Sequence, residues 1–87
     1  MGAKEVYVIV ESYGSSIDPT VEVFADLKAA NERFGNCIDE RIGLGYEVAS
    51  EYDYSEDYRV YDLSFPDGKG DGVRMTLKRV EVKEVAE

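Results

Sequence analysis

The residues with the most chemistry to offer lie in one segment: Glu51, Tyr52, Asp53, Tyr54, Glu56, Asp57 and Tyr58, followed closely by Tyr61 and Asp62. Paired carboxylates can serve as general acid and base. The same mixture also suits protein contact, because tyrosine presents rigid, amphipathic area at small entropic cost and flanking carboxylates meet a basic partner. Tyrosine phosphorylation would use the same phenols. The competing reading is a solvated loop whose alternate tyrosines cover the edge of a small core. The chain has no histidine, so no Ser–His or Cys–His nucleophile can be assembled. With nineteen acidic residues, any pair of carboxylates picked from the sequence is a chance pair. The balance favours a non-enzymatic interaction surface formed by Tyr52, Asp53, Tyr54, Glu56, Asp57, Tyr58 and Tyr61, with no catalytic residue and no cofactor.

Two further features invite chemistry and do not sustain it. Asp67, Asp71 and Gly72 match the first, fifth and sixth positions of a calcium-binding EF-hand loop. The third position, however, is Lys69 and the twelfth is Lys78, cations where oxygen ligands are required, and no helical pattern flanks the loop. A glycine-rich turn accounts for it, and no metal site is expected. Cys37 is the only cysteine, which excludes an intramolecular disulfide and an all-cysteine zinc site. It borders an apolar helical stripe and reads as a small buried hydrophobe.

A net charge of −9 on 87 residues, from ten basic and nineteen acidic side chains, disfavours nucleic acid and anionic membranes as partners. A basic or neutral protein, or a second copy of the chain, is the expected partner. The densest basic group, Arg74, Lys78, Arg79 and Lys83, is interleaved with Glu81 and Glu84. The N-terminus offers no apolar stretch for a signal peptide, and Val6 stands where a myristoylation motif wants Ser or Thr. The expected setting is the cytoplasm.

The elements that must position these residues follow from periodicity. Residues 4–11 are β-branched and aromatic, with Val6, Val8 and Val10 on one face and Tyr7 and Ile9 on the other, as in a central strand. After a loop over 12–19, residues 20–25 alternate as a second strand, and the short connection makes the pair antiparallel. Asp26 is placed to cap a helix whose stripe is Leu27, Ala30, Phe34, Ile38 and Ile42. Gly35 lies inside that stripe without interrupting it, and Gly43 or Gly45 ends the helix. Residues 46–58 lack periodicity and read as an irregular exposed connection, with a short extended piece at 46–49. Tyr61, Leu63 and Phe65 then alternate, a turn follows over 66–72, and Val73, Met75 and Leu77 form the inner face of the partner strand. The switch of apolar parity to Val80 and Val82 signals a bulge near Lys78 and Arg79 or a change of packing face.

The first part of this pattern, Val6-Tyr-Val-Ile-Val10, an acidic loop, Val21-Glu-Val-Phe24 and Asp26-Leu-Lys-Ala-Ala-Asn-Glu32, resembles small uncharacterised fungal and bacterial acidic proteins of β-β-α type. The resemblance covers residues 5–34, implies only the order of elements and transfers no activity. The expected architecture is a single α+β domain over 1–87, in the order β-β-α-β-β. Its four-stranded, mainly antiparallel sheet carries one helix on one face and leaves several tyrosines, with Ile9 or Phe24, on the other, a candidate contact surface for a second copy or a partner protein. Besides the interaction module, two functions remain open: an acidic decoy that competes with nucleic acid for a basic protein, and a small enzyme or ligand-binding domain built on carboxylates and tyrosine hydroxyls.

Overall fold

The computed structural model describes residues 4–14, 19–68 and 72–82. Its elements are β1 (Lys4–Tyr13), β2 (Thr20–Phe24), α1 (Leu27–Gly43), β3 (Glu47–Ser55), β4 (Tyr58–Ser64) and β5 (Val73–Val82). The strands form one antiparallel sheet in the order β2-β1-β5-β4-β3. The fold is α+β as expected, but the sheet has five strands, because the segment assigned to an irregular connection is itself an edge strand.

Connectivity explains the position of the helix. β2 is one edge of the sheet and β3 the other. Five strands about 4.8 Å apart make a sheet about 20–24 Å wide. The 17 residues of α1 rise about 25 Å in total, so the helix carries the chain from edge to edge. Asp26 caps it by accepting a hydrogen bond from the Ala29 backbone N–H at 3.0 Å, a contact worth about 1 kcal/mol. The helix passes through Gly35 unbroken. Gly45 follows the last turn with φ of 104°, a left-handed conformation that glycine adopts without strain. No described helix is long and apolar enough to cross a membrane.

Alternation along each strand separates two faces. Ile9, Tyr61, Leu63, Val73, Met75 and Leu77 face the helix and close on Ala30, Phe34, Cys37 and Ile38. Phe34 packs edge-to-face on Tyr61 with ring centroids 5.5 Å apart. Cys37 is buried as expected, and burial pushes its thiol pKa up. The helical stripe is shorter than predicted: Ile42 is exposed, and Arg41 turns to the sheet instead. At the end of the β4–β5 hairpin, a Cβ on Gly72 would lie 2.9 Å from the Leu63 carbonyl oxygen, so only glycine fits there.

Two expectations need correction. Ile9 belongs to the core, and Phe24 packs against it from the same side, so neither lies on the uncovered face. That face instead carries the other parity of β1, namely Val6, Val8 and Val10. The β1–β5 register runs without a break from Lys4↔Val82 to Tyr13↔Val73, so no bulge occurs at Lys78 or Arg79. Val80 and Val82 fall on the uncovered face by simple alternation, which is the change of packing face that the parity switch also allowed. The register shifts occur in β3, between Val48 and Ser50 and between Asp53 and Ser55. Of the calcium-like loop, Lys69 and Asp71 lie outside the described residues, and Gly68 closes a turn on the Phe65 carbonyl.

Candidate functional site

The acidic tyrosine segment does not form one patch; the pleat divides it. Asp53 and Tyr61 lie on the helix side, Tyr52, Tyr54 and Tyr58 on the open side, and Glu56 and Asp57 in the turn between β3 and β4. Tyr61 is 7% exposed and belongs to the core. It is therefore removed from the expected contact set by the side of the sheet on which its parity places it.

On the open side, the second register shift in β3 aims Tyr54 at its neighbours. A bulge places two residues of one strand against one of the next and turns a side chain out of the regular pleat. Tyr54 stacks on Tyr58 with centroids 4.8 Å apart and on Tyr52 at 6.0 Å, with interplanar angles of 23° and 12°. The three rings form a ladder whose members are 49%, 63% and 41% exposed, in chain order. Lys78 places its ammonium 5.9 Å from the Tyr58 ring centroid.

Beside the ladder runs an uncharged band of the open face. Register pairs define a row Val21–Val10–Thr76–Val60–Tyr52 that crosses all five strands without a charge. A second row, Val23–Val8–Lys78–Tyr58, runs beside it. On the far side lies Ser12–Arg74–Asp62–Ser50, in which Arg74 grips Asp62 through two hydrogen bonds of 2.8 and 3.2 Å. Val21 and Val23 are more than half exposed. Uncharged and aromatic groups thus lie in the middle of this face, with the Arg74–Asp62 ion pair at its margin. The alternation of Val6, Val8 and Val10 signalled the part of this face that β1 supplies, whereas Arg74, Thr76 and Lys78 join it through the β1–β5 register, which no local pattern encodes.

On the helix side the polar groups are tied to one another. The Arg59 guanidinium donates to Asp53 at 2.6 Å, to the Asn31 side-chain Oδ1 at 2.9 Å and to the Tyr61 hydroxyl oxygen at 2.9 Å. It also lies 5.1 Å from the Phe34 ring centroid. The Tyr61 hydroxyl in turn donates to Asp53, and the Asn31 amide donates to the Leu27 and Glu56 carbonyls. A shallow cleft of about 370 Å³ borders this network, lined by Asn31, Asp53, Ser55, Glu56 and Arg59. The Arg59 hydrogen bond outweighs partial burial and holds the Asp53 carboxyl below the usual carboxylate range, while burial pushes the Tyr61 phenol up. Both groups are thereby kept in their ordinary charge states near neutrality.

That shift has a measurable consequence. A carboxyl whose pKa is lower in the folded state stabilises the fold above its unfolded pKa of about 3.9, and the benefit disappears as pH falls through the lower folded value. Asp53→Asn should therefore lower the melting temperature at about pH 6 and cost progressively less toward about pH 3. A deficit independent of pH would mean that the carboxylate's charge is not what the network uses. Asp57 has a separate part: it accepts from Ser55 at 2.7 Å and pairs with Arg79 at 3.5 Å, which fixes the β3–β4 turn against β5.

Among the described residues no three potential ligand side chains converge as a metal site, and no buried side-chain nitrogen or oxygen lacks a hydrogen-bond partner. Comparison with family models, with curated proteins and with solved structures gave no match, so the likeness read over residues 5–34 gains no support from them.

Proposed function

We propose that this protein is a non-enzymatic, cytoplasmic interaction module whose contact surface is the open face of the sheet, anchored by Tyr52, Tyr54 and Tyr58. The observation that carries the reading is the ladder itself: three stacked, exposed tyrosines continuous with an uncharged row across the sheet. Stacking holds the rings in place before contact, which lowers the ordering cost on binding. Of the seven contact residues expected from the sequence, the three open-face tyrosines remain central. Asp53 and Tyr61 serve the fold.

A second reading, the acidic decoy, draws support from a different surface. Asp26, Glu32, Asp39 and Glu40 are all exposed on or beside α1, away from the ladder. Affinity capture at low and raised salt separates the two. Under the module reading, a partner held by the native protein is lost when Tyr52, Tyr54 and Tyr58 are changed together to serine, and it survives moderate salt. A partner that ignores the tyrosine changes and is released by salt, with charge-neutralised Glu32 and Glu40 losing it as well, would replace this reading with the decoy.

A further inference from the structure

The open face is also a surface that matches itself, and we propose that a second copy of this chain docks on it, sheet against sheet, to form a two-fold dimer. This inference rests on the interaction-module reading and names the partner.

The first support is the placement of charge. The chain carries a net charge of −9, yet the three rows of the open face hold two cations, Arg74 and Lys78, and one carboxylate, Asp62. The excess negative charge is therefore borne by the rest of the molecule. When two open faces meet, the helices lie on the outside. Sheets packed about 10 Å apart, each backed by a helix another 10 Å away, hold the helical layers about 30 Å from one another, well beyond the Debye length of about 8 Å at physiological salt. Self-association thus avoids the repulsion that so acidic a chain would otherwise impose.

Symmetry and size give the second support. A two-fold axis lying in the interface and crossing β5 near Thr76 sets the row Val21–Val10–Thr76–Val60–Tyr52 on its own copy, as an isologous interface requires. Aligned sheets cross at about 30°. A rotation in the sense that carries Lys78 toward β4 of the other copy sets it beside Asp62 there, adding a carboxylate to a cation that lies over the Tyr58 ring. Five strands by three rows cover about 400–500 Å² in plan on each copy, about 800–1,000 Å² in total, the size class of a weak, reversible interface.

Sedimentation equilibrium tests the proposal. The native chain should shift from its monomer mass of 9.8 kDa toward twice that mass as concentration rises over about 10–200 μM, the range that reads a micromolar Kd. Val21→Glu and Lys78→Glu, both exposed, should each weaken dimerisation about tenfold or more while leaving the circular dichroism spectrum native. Lys28→Glu on the helix side should leave that shift unchanged. A native protein that remains monomeric overturns the dimer, and so does a dimer indifferent to both open-face changes. The interaction-module reading fails separately: it falls only if the tyrosine variant also loses no partner in the capture experiment.

Discussion

Replacing Phe34 with alanine is expected to cost about 3–5 kcal/mol, the range for truncating a fully buried aromatic. The side chain is wholly buried at the middle of α1, and its ring meets Tyr61 edge-on while the Arg59 guanidinium lies over it. Truncation leaves a cavity between helix and sheet, removes the aromatic pair and takes away the surface that supports Arg59. Domains of this size have total stabilities on the order of 5–10 kcal/mol, so most of the folded population's margin would be lost. Urea unfolding followed by circular dichroism measures it. Phe34→Leu, which retains most of the volume, should cost clearly less. A loss below about 1 kcal/mol for the alanine variant would mean that the helix does not close the core at this point.

The prominence of Phe34 was legible beforehand, because its place in the stripe Leu27, Ala30, Phe34 and Ile38 follows from helical spacing alone. The same is true of the hairpin strands, where Leu63, Val73 and Leu77 alternate cleanly. β3 escaped because periodicity records burial, and Glu47–Ser55 lies at a sheet edge where only Ser50 is even half-buried. Two register shifts within nine residues removed what alternation remained. In β1 the two parities were plain, but nothing local says which of two apolar faces the helix covers. Phe34 and the inner face of β5 decide that from elsewhere in the chain. The candidate site was legible as composition and illegible as geometry. Tyr61 shares odd parity with Leu63, whereas Tyr58 has even parity, and that signal alone could have divided the segment between the two faces. Arg59, Arg41 and Glu11 acquire their parts through contacts 28 to 30 residues apart, which no local pattern encodes.

The second large effect lies at Arg41. Its guanidinium donates to Glu11 at 2.7 Å and to the Tyr13 hydroxyl oxygen, and it sits 5.0 and 5.5 Å from the ring centroids of Tyr13 and Tyr46. Glu11 is 9% exposed, on the helix side of β1 between Ile9 and Tyr13. Burial works against the charge of Arg41, but the hydrogen bonds to Glu11 and Tyr13 outweigh it and hold the pKa above the usual arginine value. Removing one partner of a buried ion pair leaves the other charge uncompensated, which costs about 3–5 kcal/mol. Arg41→Met, which keeps the length of the side chain, should fall in that range by urea unfolding. The double variant Glu11→Leu with Arg41→Met should recover much of the loss, because an apolar pair of similar volume carries no desolvation penalty. A double variant as unstable as the sum of its single changes would show that the two residues contribute separately, and the ion pair would then not be what joins the end of α1 to the sheet.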